Sequence, residues 1–573
     1  MSTQRLIDNL RRLRTDFNAR SREKKRILLT QCARDPFGVV RDLRDYHDLL
    51  LFMAATPDDA EMLRIVNTEL RRIARITRDI MKSGRRREID RLVDSGMAGT
   101  VTTCAFSVEA AAWLARRFGR SVELDWEDGS AGEKLDEFLN LLVAGVERDG
   151  LLSDRLTTRE WNRLARGSQH TTDLAWLVDR FNRLEATPEL REQAFESLDL
   201  RICWRLTDKI ASRTFARFPR RPTFFQDDAI VRAGSLCGEM ARPLPATRRL
   251  PIQQARDLLD VCRTTLCVRH REIDTLTYAS ERDVTLFQLD RGVDVAVFGM
   301  VPDRRLPIES YYGFVAARNR VPIGYGGGWL FGDRCEIGVN IFDAFRGGES
   351  GFVFRQIMRV YHQFFGARRF FVDPYQFGAD NAEAIRSGAY WFYDRLGFRP
   401  TDEKARQLAE TERSKRIVDR AYRSPARILR RLARSKLAFD LDGEGNMRRD
   451  EIELSEIGLA VTRWIGCEFD GDREAAGRWA VERARRDLGE RGMSKWPPNE
   501  RRSFERLSML LGPISDLSEW TTRDKKSLVA LMRAKGGISE RRYIRAIRAH
   551  AKLRAALLGG MVKLGSLIPH SFF

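Results

Sequence analysis

Between residues 271 and 342 the chain is cut into six short runs, REIDTLTYA, VTLFQLD, VDVAVFGMV, YYGFVAARN, VPIGYGGGWLFG and RCEIGVNIF, separated by Gly, Pro, Asn or Asp. β-Branched and aromatic side chains suit a pleated surface, and turn residues at this spacing leave room only for brief extended segments. Several of the runs alternate polar and apolar positions in the manner of half-buried antiparallel strands. A meander of strands is expected, with at least one face needing an apolar cover.

That cover follows directly. After FRGGESG, residues 345–351, comes FVFRQIMRVYHQFFG, in which Phe354, Ile357, Met358, Tyr361 and Phe365 recur at the spacing of one helix face. ARRFFVDPY then reads as a strand and NAEAIRSGAYWFYDRLGF as a helix stopped by Gly397. The order is strands, glycine turn, helix, strand, helix, which is α/β.

The flanks are helical in pattern. In TPDDAEMLRIVNTELRRIARI, Thr56 is the expected N-cap, with Pro57 at the first helical position and Met62, Ile65, Val66, Leu70 and Ile73 on one face. SVEAAAWLARRF, TTREWNRLA, HTTDLAWLVDRFNRL and TPELREQAFESL each offer a hydroxyl near their start to satisfy unpaired backbone N–H groups. Beyond residue 402 the chain again reads as helices. With 573 residues it exceeds a single ordinary core. The expected organisation is a mainly helical region over 1–250, an α/β core over 251–402 and a helical region over 403–573, the flanks all-α.

A hydrophobic content of 43 % excludes global disorder, and the formal charge of +20 suits polyanions such as nucleic acid, anionic lipid or a phosphate-rich cofactor. The same charge also fits an arginine-rich, GC-rich bacterial genome, because the basic residues are interspersed with acids. No window has the length of apolar residues a membrane span needs, and the eight cysteines form no CxxC pair. A cytoplasmic protein is expected. Leu6, Leu10, Leu13 and Phe17 form a stripe on a basic helix that reads as core-facing rather than membrane-lying. Cys262, Cys267 and His270 make an incomplete zinc pattern that reads as buried thiols. GYGGGW, residues 324–329, reads as a glycine-bent strand and turn.

The segment from about Val268 to Pro400 resembles the GCN5-related N-acetyltransferase (GNAT) superfamily. Its central motif, a strand, then R/Q-x-x-G-x-G/A, then a long amphipathic helix, is matched by EIGVNIFDAFRGGESGFVFRQIM; its second signature is matched by WFYDRLGF. The resemblance implies that the helix start, with Arg346, Gly347, Gly348, Ser350 and Gly351, binds the diphosphate of coenzyme A. Unpaired N–H groups and the helix dipole favour an anion there. It further implies that the pantetheine arm enters a splay beside EIGVNIF, with Ile341 among its contacts, and that Tyr393 protonates the departing thiolate. Glu336, on the strand facing the expected acyl group, is the candidate base, acting through water. The implied donor is acetyl-CoA or a longer acyl-CoA, and the acceptor a small-molecule or peptide amine.

Three departures accompany the match. Glu349 stands where the family has glycine, and a carboxylate beside a diphosphate is unfavourable unless a cation such as Arg346 neutralises it. The usual helix-starting asparagine falls at Ser387 rather than Asn381. After LGFRP the chain turns helical where ordinary members continue into a final hairpin. The alternatives are therefore the same fold with an aminoacyl-tRNA or acyl-carrier donor, making tRNA a partner, and a degenerate core serving as a scaffold. A second motif, DLDGEGNMRRDE, resembles an EF-hand loop with Asp440, Asp442, Glu444 and Glu451 as calcium ligands; an Asp/Gly turn is the plainer reading, and no metal ligand is assigned.

Overall fold

The computed structural model describes residues 2–557 except 128–129, 152–154, 169–170, 232–233, 246, 248 and 444–453. The chain is mixed α/β, built around an eight-stranded sheet with helices flanking it. A small three-stranded sheet comes first in sequence: β1 (Val101–Ala105), β2 (Val122–Leu124) and β3 (Arg201–Arg205), ordered β1-β3-β2 and antiparallel. The N-terminal region is therefore not all-α. These strands are only three to five residues long, too short for alternation to stand out against the surrounding helices. They carry their own core, with Trp204, Ile202, Val122, Phe181 and Phe195 buried.

The large sheet comprises β4 (Ala279–Gln288), β5 (Val293–Met300), β6 (Ser310–Arg318), β7 (Val321–Phe331), β8 (Arg334–Ile341), β9 (Arg369–Val372), β10 (Arg399–Pro400) and β11 (Leu437–Asp440), in the order β10-β11-β9-β8-β7-β6-β5-β4. The expected strand REIDTLTYA is instead a helical turn, Asp274–Thr277, leading into β4. The meander β4 to β8 is antiparallel throughout, and β8 and β9 are parallel. The glycines of GYGGGW lie in the middle of β7 rather than at a turn. A Cβ would sit 2.3 Å from the Tyr311 ring at Gly327 and 2.4 Å from the Tyr361 ring at Gly328, on opposite faces. Glycine is required there because two buried rings press directly on the backbone.

The helix Ser350–Val360, continued by a wider turn over Tyr361–Phe365, covers one face of the sheet. Phe354, Ile357, Met358, Tyr361 and Phe365 are all buried, as their spacing predicts. The first four helices, Thr3–Leu13, Ala19–Ala33, Val40–Ala55 and Ala60–Lys82, belong to this same core, with Leu6, Leu10, Leu50, Phe52 and Ile73 packed into it. The last of them starts later than the pattern TPDD suggests. Asp59 is its N-cap, accepting from the Met62 N–H at 2.7 Å, while the Thr56 hydroxyl donates to Phe52 O and closes the preceding helix. Asp58 is drawn away into a buried pair with Lys25 at 2.8 Å.

The sheet does not end at residue 402. Helices Glu403–Val418 and Ala426–Leu432 are inserted after β10, and the chain then returns as β11, which pairs antiparallel with both β10 and β9. A final hairpin is thus present, its two strands separated by a helical insertion. Helices from 454 to 557 form further clusters around Phe504, Leu528 and Tyr543 and around Trp464 and Ala480. Among the described residues no helix is long and apolar enough to cross a membrane.

Candidate functional site

The β8–β9 pairing stops after three residues. Arg334, Cys335 and Glu336 pair with Arg369, Phe370 and Phe371, and β8 then runs on to Ile341 while β9 ends at Val372. Five residues of β8 thus have no strand neighbour on that side, because β9 has ended. The gap opens into a cavity of about 1060 Å³ bounded by Val339, Asn340 and Ile341 of β8, by Arg346 to Gly351, and by the helical segment Asn381 to Leu396. This lies at the upper end of the roughly 300 to 1000 Å³ of ordinary small-molecule pockets.

The helix starting at Ser350 points its N-terminus at the cavity without a side-chain cap. An α-helix leaves its first N–H groups without intrahelical acceptors, and these together with the dipole favour an anion. Gly347 adopts φ +80°, which reverses the chain just before the helix. A Cβ on Gly348 would meet the Phe52 ring at 3.0 Å, so that residue lies tight against the N-terminal helices. Ser350 and Gly351 line the cavity directly, and Arg355, one turn further along, adds a guanidinium to the same wall.

Glu349 is turned away from this anion-friendly end. Its carboxylate is buried, accepts from the Val231 N–H at 2.6 Å, and pairs with Arg318 of β6 at 2.6 Å and with Arg291 at 3.0 Å. Arg291 is in turn held by Asp228 at 2.9 Å. Two guanidiniums compensate the charge within the core, and the helix start is left open. Arg346 is not the neutralising partner. Its side chain donates to Ile341 O at 3.1 Å and pairs with Asp343 and Glu383, tying the loop to the helix Ala382–Ser387 at the cavity rim.

The helix NAEAIRSGAYWFYDRLGF is broken at Gly388, which takes a left-handed conformation at φ +66° between Ala382–Ser387 and Ala389–Arg395. Asn381 caps the first piece by accepting from the Ala384 N–H at 3.0 Å. The second piece carries Tyr393 to the cavity wall, wedged among Phe354, Phe377, Phe392 and Phe398. Burial pushes the Tyr393 hydroxyl well above its ordinary value, so it stays protonated at neutral pH.

Of the expected site residues, the cavity gathers Ile341, Arg346, Gly347, Gly348, Ser350, Gly351 and Tyr393; it does not gather Glu336. Cys335 shares a face with Tyr361 of the covering helix, so Glu336, its neighbour in the strand, projects to the opposite face. There its carboxylate pairs with Lys436 at 3.2 Å and lies 3.5 Å from Arg334. Sequence reasoning missed Gln376, Glu383, Arg355, Arg395 and Gly234, all on the cavity wall. Arg355 alone had a usable signal, a cation one turn into a helix whose start has the pattern of an anion site.

In the EF-hand-like stretch, Asp442 is engaged by Arg368, and Glu444 and Glu451 lie outside the described residues. Cys262 and Cys267 are buried free thiols, raised by burial, and His270 faces Asp94 at 3.3 Å. The chain matches no family model, no curated protein and no solved structure.

Proposed function

We propose that the protein is an acyl-CoA-dependent N-acyltransferase of GNAT-like architecture, with the cavity between β8 and β9 as its donor site. The observation that carries this reading is the convergence of three features on one cavity: a helix N-terminus without a side-chain cap preceded by glycines, a strand edge left unpaired after three residues, and a buried tyrosine in the wall. A diphosphate fits the amides of Ser350 and Gly351, with Arg355 nearby. An extended amide-bearing arm fits the unpaired edge of β8 from Ile337 to Ile341, where backbone N–H and C=O groups face no strand.

In this reading an acceptor amine, having lost its proton, attacks the thioester carbonyl at the splay. A C–N bond forms, the C–S bond breaks, and the thiolate takes a proton. Tyr393 is assigned as the proton donor, because its hydroxyl is protonated and the residue is part of the cavity wall. Glu336 is not given a part in the chemistry: it is off the cavity wall and its carboxylate is held by Lys436. The antiparallel hairpin β10–β11 supports the resemblance, and the helical insertion within it leaves the acceptor surface differently shaped from that of ordinary members.

Calorimetric titration and thermal shift with acetyl-CoA and longer acyl-CoA esters test the reading. Saturable heat and a raised unfolding temperature are expected, both weakened by Gly351→Asp, which puts a carboxylate at the helix start. Absence of both signals at millimolar ester overturns it.

A further inference from the structure

The helical insertion between β10 and β11 carries an unusual charge pattern. From Arg413 to Lys436 the chain has ten basic side chains and one acidic, Asp419. Arg427, Arg430 and Arg431 on the helix Ala426–Leu432, with Arg434 just beyond it, follow each other at i, i+3, i+4 and i+7, and all four are exposed. That spacing places them on one face, while Leu429 and Leu432 turn into the core. Arg420 and Arg423 extend the exposed group. Among the described residues none of these six arginines forms an ion pair with a carboxylate, although Arg413 and Lys415 in the same insertion do.

Like charges three and four residues apart destabilise a helix. Folding alone gives no reason for such a stripe, and an external polyanion does. The helix that carries the stripe packs close to the cavity. It packs on Ala382–Ser387, whose Glu383, Ala384 and Ser387 form part of the cavity wall. Arg416, stacked on Trp391 at 4.5 Å, sits between the stripe and the exposed Arg395, which itself lines the cavity; burial lowers Arg416, and Arg395 and Arg423 beside it lower it further.

We propose that this arginine face, running from Arg434 through Arg427 and Arg423 to Arg395, binds the phosphodiester backbone of a nucleic acid strand, its Arg395 end reaching the cavity. The planar guanidinium fork matches phosphate oxygens two at a time, which suits arginine over lysine here. An anionic membrane is the less fitting occupant. Insertion needs an apolar face between the cations; the arginine helix turns Leu429 and Leu432 into the core, and the exposed Ile417 and Val418 lie at the end of the preceding helix rather than within the stripe. The inference does not depend on the acyl-transfer reading, because Arg427, Arg430, Arg431 and Arg434 are not on the cavity wall.

Fluorescence anisotropy of labelled single-stranded RNA and DNA oligonucleotides with the full-length protein tests it. Binding is expected to weaken steeply between about 50 and 200 mM salt, with a log–log slope near −0.7 for each phosphate neutralised. Arg427→Gln/Arg430→Gln/Arg431→Gln/Arg434→Gln should weaken binding at least ~10-fold and flatten the slope by about 0.7 for every phosphate no longer neutralised. Arg473→Gln/Arg478→Gln/Arg485→Gln/Arg501→Gln removes the same charge from exposed positions elsewhere and should bind as the unaltered protein does. The RNA and DNA arms distinguish the two sources of the backbone, and binding in either supports the proposal. No binding at the lowest salt, equal loss in both variants, or association only with anionic phosphatidylserine vesicles overturns it. Acetyl-CoA titration of the same samples reads the donor site separately.

Discussion

The carboxylate of Glu349 lies 2.6 Å from the guanidinium of Arg318, and both side chains are almost wholly excluded from solvent. In the sequence this glutamate looks like a defect in a phosphate-binding loop. In the fold it anchors the loop, because the residue before the helix faces inward and its neighbours face the cavity. Removing one partner of a buried pair leaves an uncompensated charge, at a cost of about 3 to 5 kcal/mol. Glu349→Gly, which restores the family pattern, should therefore lower the unfolding temperature in a calorimetric scan and weaken donor binding, not improve it. An unchanged or raised unfolding temperature would refute this account of the loop.

In the proposed reaction Tyr393 is the proton donor, while its ring packs in the hydrophobic core. No hydrogen bond from its hydroxyl to another described group accompanies its aromatic contacts, so Tyr393→Phe keeps the packing. The expected result in a thiol-release assay is a fall in kcat of about 10²-fold or more, in line with loss of a general acid. Donor affinity and unfolding temperature should stay as they were. A variant with full kcat would remove Tyr393 from the mechanism.

Glu336 yields the opposite expectation. Its carboxylate bridges to Lys436 on the approach to β11, across the sheet from the covering helix. Glu336→Gln should leave kcat within about 3-fold and lower stability by no more than about 1 kcal/mol, the scale of a partly exposed ion pair. A large drop in kcat with a shifted acid limb of the pH–rate profile would make Glu336 the base after all.

Asp294 supplies a pH dependence that can be measured. Burial in β5 pushes its carboxyl from 3.8 up to about 6, against the opposing pull of Arg221 at 2.6 Å. The folded state therefore binds the proton more tightly than the unfolded chain does. The contribution of this group to stability is fully present below about pH 4 and is lost as the pH rises through about 6. Relative to Asp294→Asn, the unaltered protein should gain in unfolding temperature when the pH falls from about 7 to about 4.5. An equal difference between the two proteins at both pH values would show that Asp294 does not titrate in this window.

How much was legible in the sequence can be judged from particular elements. Strands β4 to β9 and the helix from Ser350 were readable because alternation and helical spacing are local patterns, imposed by which face meets the core. The glycine turn before that helix was readable from its composition. β1 to β3 were too short to register, and β11 was hidden because its neighbours in the sheet, β9 and β10, are separated from it by helices.

What the sequence determined by itself was therefore the strand meander, its covering helix and the glycine turn between them, all set by local periodicity and turn chemistry. Tertiary structure decided the rest. Which way Glu349 faces depends on Arg318 and Arg291, more than 30 and 50 residues away. That β8 has an unpaired edge depends on a four-residue strand ending where an eight-residue one continues. Whether a carboxylate such as Glu336 reaches the cavity depends on which face of the sheet it occupies. Charge compensation and strand pairing join residues distant in the chain, and no local pattern records them.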